Sequence, residues 1–524
     1  MGPDPTPPVE IRPLTILVGR NSVGKSTFLR SLPLLRQSIE TRSSAPVLWY
    51  GDYVDFGDFQ SAVSNKDLNR SISFSFELNE FSGKFAHVSP IAARYDPMLT
   101  RRRSFEVESL RVSYSVRSQS DVTERDKILI ELPNENTSLE LSFTGNSRVV
   151  QSVCINGIEL SDLQDGYVIY FESDSLFTDP YFLVKSKDNK ETMLKGTSRP
   201  AAFLDLVEKK LSTLVDGRTS PNRIASEARR ILNNIALTDE VLTKLSKAET
   251  VTFQDIYTRM LTGRQNKLRT YLDALCQARY LFDLLDATGD NLKEYFGAVE
   301  YIGPARARSE RFYRQQELEV SEISPDGKNL PMFLASLDHR QLKSFSTWVQ
   351  KAFGYGVSVH KTGGHISINL EHRGQSVNIV DTGYGVSQVL PVLAQIWWMQ
   401  FNHKDNRFRR VRSDFDIKTL VIEQPELHLH PAHQALLADV FAEAQFASKT
   451  SKGPAQHYVV ETHSEALINR LGELIEQNKV DPEDVQIVIF GDSSDGLEQS
   501  GVTLAEYDED GVLNNWPFGF FNFA

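Results

Sequence analysis

"GRNSVGKST" runs from Gly19 to Thr27 and follows the apolar stretch "LTILV", Leu14 to Val18. The spacing Gly19-x-x-x-x-Gly24-Lys25-Ser26 satisfies the P-loop pattern. Consecutive backbone N–H groups in such a loop wrap phosphate oxygens, and the glycines permit the curvature. Lys25 is placed to neutralise the β and γ phosphates, and Ser26 to offer a hydroxyl to Mg²⁺. The segment "STFLRSLPLLRQSI" that follows repeats apolar residues at spacings of three and four, which predicts a helix with its positive end on the anion. The strand before and the helix after are the context a phosphate cradle requires. They predict binding of ATP with Mg²⁺ by Gly19, Asn21, Ser22, Gly24, Lys25, Ser26 and Thr27.

A second stretch, "IEQPELHLHP" (Ile422 to Pro431), has the form of the strand that completes such a site. Glu423 closes the apolar run "TLVI" and is the expected Mg²⁺ acid. The next residue, where a catalytic base is often found, is Gln424. Its amide can orient a water but cannot take the water's proton. Glu426 is the substitute if the turn brings it round. Phosphoryl transfer depends mostly on positioning and charge, so loss of the base slows hydrolysis without abolishing binding. The expected behaviour is slow or conditional hydrolysis and a long-lived ATP-bound state.

The P-loop strand lies near residue 15, whereas further apolar strands, "TLVIE", "HYVVET" and "VQIVIF", lie between residues 419 and 490 and alternate with helical patterns. That alternation predicts a parallel α/β sheet. Between the two halves, strands such as "SISFSFELN", "LRVSYSVRS" and "LELSFTG" alternate apolar and polar residues, and "AFLDLVEKKLSTLV" and "RTYLDALCQARYLFDLLDA" carry helical stripes. The expected organisation is a split P-loop ATPase domain with an inserted antiparallel β region and a helical lobe. The predicted segments are 1–67 for its first half, 68–197 for the β-rich region, 198–297 for the helical lobe and 298–524 for the second half.

With "DTGYGVSQVLP" (Asp381 to Pro391) and "ETHSEALINRL" (Glu461 to Leu471), the P-loop and the acidic strand resemble the ATP-binding-cassette branch of P-loop proteins that contains the SMC and RecF ATPases. "YGDYVDFGDF", "EYIGPARARSERFY" and the terminal "WPFGFF" extend the resemblance to bacterial overcoming-lysogenization-defect-type and Septu-type (PtuA) defence ATPases. The resemblance implies that Gly385, Ser387 and Gln388 form a signature turn facing the γ-phosphate of an opposite subunit. It makes His463 a γ-phosphate sensor and Gln60 a candidate Q-loop metal residue, with Asp55 and Asp58 competing for that role. It further implies a head-to-tail homodimer or higher oligomer holding two ATPs. The role implied is regulatory or sensing, in a prokaryotic antiphage complex whose effector is a separate nuclease such as an HNH protein. Two alternatives stand beside it: a repair-like ATPase that clamps DNA by turnover, and a scaffold for which ATP is structural glue.

The 524 residues suggest two or three structural units, and a composition 40% hydrophobic and 24% charged is ordinary for a globular chain. A net charge of −12 excludes a strongly basic nucleic-acid binder overall. Basic runs at Arg101–Arg103, Arg306–Arg314 and Arg407–Arg412 leave local nucleic-acid contact open, against structural ion pairs and solvated loops. Two distant cysteines, Cys154 and Cys276, point to a reducing cytoplasm and against a thiolate metal site. No apolar run is long enough for a membrane span. His428, His430 and His433 invite a metal reading, but the resemblance makes them a loop beside the nucleotide. "YDEDG" (Tyr507 to Gly511) reads as solvated turn residues.

Overall fold

The computed structural model describes residues 7–21, 23–84, 104–145, 148–185, 195–215, 217, 219–247, 250–316, 320–401, 417–450, 453–491 and 501–516. The chain divides into two compact units, one of Met1–Glu40, Tyr50–Asp55 and Glu294–Ala524, the other of Thr41–Trp49 and Phe56–Lys293.

The first unit is built on β1 (Leu14–Gly19), α1 (Lys25–Glu40), β2 (Val299–Ile302), α2 (Tyr384–Phe401), β3 (Ile417–Glu423), α3 (Pro431–Thr450), β4 (Ala455–Glu461), α4 (Glu465–Glu476), β5 (Val485–Phe490), β6 (Val502–Tyr507) and β7 (Leu513–Asn514). One seven-stranded sheet runs in the order β2-β3-β4-β1-β5-β6-β7. The first five are parallel, and β6 and β7 close one edge antiparallel. Every residue of β1 and β5 is buried, which is why both read as mostly apolar runs, broken only by the buried polar side chains of Thr15 and Gln486. The carboxyl ends of β1, β3 and β4 lie at one edge of the sheet, where open α/β folds place their ligands. A smaller antiparallel sheet (Tyr313–Arg314, Gly356–Thr362, His365–His372, Gln375–Asn378) belongs to the same unit.

The second unit holds a six-stranded antiparallel sheet in chain order from Ile72–Lys84 to Ile158–Glu159, a three-stranded sheet, and helices ending with Asn266–Gly297. The β-rich and helical segments share this unit: Phe182 of a strand packs on Phe203 and Phe282 of two helices at 6.1 and 5.5 Å. Residues 41–49 and 56–67 also belong to this unit. The reason is Trp49, whose ring meets Phe56 and Phe59 edge-on at 6.4 and 5.9 Å and whose indole N–H donates to Thr123 Oγ1 at 2.9 Å.

Behind the nucleotide edge, α1 is fastened to β2. Arg36 donates to the Val299 carbonyl at 2.5 Å and to both Glu322 oxygens at 2.6 Å. Glu300 lies beside this pair and accepts from Gln395. Burial, reinforced by the like charge of Glu322, pushes its carboxyl from 4.5 up to about 7. The folded protein holds this proton more tightly than the unfolded chain does, so the gain is complete below the ordinary value and drains away as pH rises towards 7. Glu300→Gln, whose amide still accepts from Gln395, is expected to stabilise the protein by about 1–3 kcal/mol at pH 8 and by almost nothing near pH 4.5. Thermal melts at the two pH values check this, and an equal effect at both would show that the carboxylate is not strained by its charge.

Candidate nucleotide-binding site

The loop from Gly19 to Lys25 is shaped by two glycines with positive φ, Gly19 at 151° and Gly24 at 104°. A Cβ on Gly19 would stand 2.3 Å from the Phe490 carbonyl oxygen of β5, so only glycine fits this approach. The loop leads directly into α1, with the Phe28 amide already bonded to the Gly24 carbonyl at 2.9 Å, and the amides of the first helical turn face the loop. Lys25 is buried and its Nζ donates to the carbonyls of Gly19 and Arg20 at 2.9 and 2.5 Å. Burial holds its pKa below the ordinary value, against the pull of Glu461. Asn21 and Thr27 are exposed, Ser26 is half-buried, and Ser22 lies outside the described residues.

Glu423 and Glu461 end adjacent strands in register with each other, and both are only 2% exposed. Glu423 is enclosed. Arg30, one turn along α1 from Ser26, donates to its two oxygens at 2.7 and 2.8 Å, and the Tyr301 hydroxyl donates to Oε1 at 2.5 Å. Glu461 accepts from Ser26 Oγ at 3.0 Å through Oε1, while Oε2 is buried without a hydrogen-bond partner. Desolvation raises the Glu461 pKa, with the neighbouring Glu423 charge adding to it and the Ser26 bond opposing it.

Gln424 sits at φ 43°, a left-handed conformation unusual for its type. It is fixed there because its amide donates to the Glu461 carbonyl at 2.8 Å, and Arg306 donates to the carbonyls of Glu423 and Gln424 at 2.7 and 3.3 Å. Burial pushes the Arg306 guanidinium down to about 10. Glu426, 6% exposed, accepts from the His463 amide at 2.7 Å through Oε1, and its Oε2 is buried and unbonded. Burial raises its pKa. Glu426 therefore clamps the turn after β3 to the turn after β4. The His463 ring is exposed on one side, and partial burial followed by the Lys25 charge lowers its pKa.

Gly385 lies in the first turn of α2, and a Cβ there would stand 2.3 Å from the His428 carbonyl oxygen. Ser387 and Gln388 are buried, and Gln388 donates to the Ala307 carbonyl at 3.4 Å. Gln60 is exposed in the short helix Phe59–Ala62 of the other unit, and Asp58 caps that helix by accepting from Ser61. The basic run from Arg306 to Arg314 is partly consumed internally, since Arg306 is buried and Arg311 pairs with Asp381. The runs at 101–103 and 407–412, and all but the first residue of "WPFGFF", lie outside the described residues. His433 stacks on Phe353 at 6.1 Å, and among the described residues no group of three or more His, Cys, Asp or Glu gathers to hold a metal. No described helix is long and apolar enough to cross a membrane.

Arg30, Tyr301 and Glu461 are the site residues that sequence reasoning left without a role, and Arg306 it placed only in a basic run. A signal existed for Glu461, because "HYVVE" is an apolar strand closed by a carboxylate, as "TLVIE" is.

A family model described as an AAA ATPase domain, AAA_15, matches residues 8–468. The chain belongs to the AAA_15 family. Membership implies nucleotide binding, and the residues at the head of α1 fit a phosphate with its Mg²⁺: a glycine-shaped loop, a buried lysine, a serine hydroxyl and an unbonded buried carboxylate oxygen. No curated protein matches this AAA_15 chain. Among solved structures it is similar to the Smc head domain with an extended coiled coil bound to the C-terminal domain of ScpA, from Pyrococcus furiosus, at 10% identity over 96% of this chain and 91% of that one, with a TM-score of 0.27. A structure from work on ATP-driven dimerization and DNA-stimulated activation of SMC ATPases is 14% identical over 33% of this chain and 88% of that one, with a TM-score of 0.20.

Proposed function

We propose that this AAA_15 ATPase domain is a slow, ATP-held switch: it binds ATP with Mg²⁺ at the Gly19–Thr27 loop, dimerises around the nucleotide, and hydrolyses it only slowly or on a trigger. The observation that carries the reading is the juxtaposition of Lys25, Ser26, Glu461 and Glu423 at one sheet edge, followed by Gln424 where a base would stand. In the dimer, the start of α2 around Gly385, Ser387 and Gln388 faces the partner's γ-phosphate, and His463 senses that phosphate. Ser387 and Gln388 are buried in their own subunit, so the helix-start amides, not these side chains, make the contact. The resemblance of the motifs to Septu-type and overcoming-lysogenization-defect-type ATPases supports a regulatory role in a prokaryotic antiphage complex with a separate nuclease effector.

The repair-like alternative draws on the basic run near residue 310, which is weakened because Arg306 and Arg311 have intrachain partners. Sedimentation of the full chain with and without a non-hydrolysable ATP analogue, paired with steady-state turnover with and without DNA, separates the readings. Analogue-dependent dimers and turnover well below one per second, indifferent to DNA, are the expected result. Rapid DNA-stimulated turnover would favour the clamp, and no nucleotide binding at all would sink the proposal.

A further inference from the structure

The turn that follows β3 and carries Gln424 is joined to α2 by two routes. One is direct contact: a Cβ on Gly385 would meet the His428 carbonyl oxygen, so the first turn of α2 rests on the backbone of that turn. The other runs through Arg306. Its buried guanidinium donates to the carbonyls of Glu423 and Gln424, one on either side of the left-handed Cα. A guanidinium is a planar fork that presents its donors at fixed spacing, whereas a lysine ammonium is a compact point charge. Burial lowers this guanidinium only to about 10, so it keeps its charge and its donors at neutral pH.

Arg306 is itself tied to α2. The next residue, Ala307, donates its amide to the Asp326 carbonyl at 2.7 Å, and its carbonyl accepts from Gln388 of α2 at 3.4 Å. Gly303 donates to the Pro325 carbonyl at 2.9 Å. The loop that receives both amides packs on the same helix, since a Cβ on Gly327 would stand 2.9 Å from Pro391 Cγ. The backbone from Gly303 to Ala307 therefore bridges α2 and the Gln424 turn. We propose that Arg306 is a positioning residue that couples the two nucleotide sites of the dimer. The start of α2, seated on the partner's ATP, sets through Ala307 and Arg306 the pose of Gln424 over its own ATP. The inference rests on the dimer reading above and supplies a trigger for slow turnover: each site becomes competent only when the other is filled.

Hydrogen exchange of the peptide spanning 423–430 reads the coupling, in the full chain saturated with a non-hydrolysable ATP analogue. It is compared below and above the concentration at which the chain dimerises, so that only the partner changes. Wild type is expected to gain protection there on dimerisation, and Arg306→Lys to gain less than about half as much. Arg306→Lys should also lower steady-state turnover about 10–100-fold, with analogue affinity and dimerisation within about threefold of wild type. Gln388→Met cuts the bridge at α2, and in the double variant turnover should fall no further than in the worse single variant. If Arg306→Lys does not fold, Gln388→Met decides alone by the same protection and turnover. Wild type that binds no analogue, or binds it without dimerising, overturns the reading above and the coupling with it. With both intact, the coupling alone is overturned by any of three results. These are no gain of protection in wild type, an equal gain in the variant, or turnover losses that multiply in the double variant. Turnover that falls only in step with analogue affinity would make Arg306 a structural residue and overturn the coupling too.

Discussion

A Gly19→Ala chain is expected to lose about 3–5 kcal/mol of stability and to bind ATP at least ~100-fold more weakly. Two separate costs fall on this one methyl group. The backbone at 151° is a conformation that side chains disfavour, and the new Cβ would lie 2.3 Å from the Phe490 carbonyl oxygen. Both sides of the clash are backbone, so no rotamer change relieves it. Nor can β5 retreat, since Phe490 is the register partner of Gly19 in a strand buried along its whole length. The loop must therefore open at its first residue. The Gly19 carbonyl anchors Lys25 Nζ at 2.9 Å, so opening also displaces the lysine that should meet the phosphates. Stability and affinity should fall together in thermal melts and fluorescent-nucleotide titrations. Gly166→Ala, where nothing lies within 4 Å of the new Cβ, is the control and should stay within about 0.5 kcal/mol of wild type. Retained affinity in Gly19→Ala would mean that the close approach to β5 does not shape the cradle.

The legible parts of this site are those written in backbone chemistry. A phosphate cradle needs glycines at fixed offsets, and Gly19 and Gly24 take positive φ in the structure. Parallel strands are covered on both faces, so β1, β3, β4 and β5 announce themselves as apolar runs. Side-chain partnerships across the sheet carry no such local mark. Arg30 looks like one more polar position on an amphipathic helix, and Tyr301 like an ordinary strand aromatic, yet both converge on Glu423. Arg306 shows the limit most clearly. In sequence it belongs to a basic run suited to a phosphate backbone, but in the fold it is buried under two carbonyls. Charge is visible in a sequence, whereas burial depends on which distant strand arrives beside it.

Gln424→Glu is expected to raise ATP turnover by about 100-fold, the low end of what a positioned general base supplies. The substitution should keep the local shape, because the unusual backbone at this residue is held by groups other than its side chain. The Gln424 backbone amide is tied to Glu461, and Arg306 holds the carbonyls of Glu423 and Gln424, one on either side of the Gln424 Cα. Only the amide-to-carboxylate change is then being tested, at a half-buried position where a water can reach the side chain. Glu426 is the competing base. One of its oxygens is occupied by the His463 amide at 2.7 Å and the other is buried, so it is built to join two turns, not to meet a water. A glutamine at 426 can still accept that amide, and Glu426→Gln should cost less than about tenfold in rate. The two variants are to be compared by steady-state phosphate release at saturating ATP, with nucleotide affinity measured beside it. Unchanged turnover in Gln424→Glu with abolished turnover in Glu426→Gln would move the base to residue 426. The expected pattern, a faster Gln424→Glu enzyme whose analogue-held dimer is no tighter, would show that the amide at 424 is what keeps the ATP-bound state long-lived.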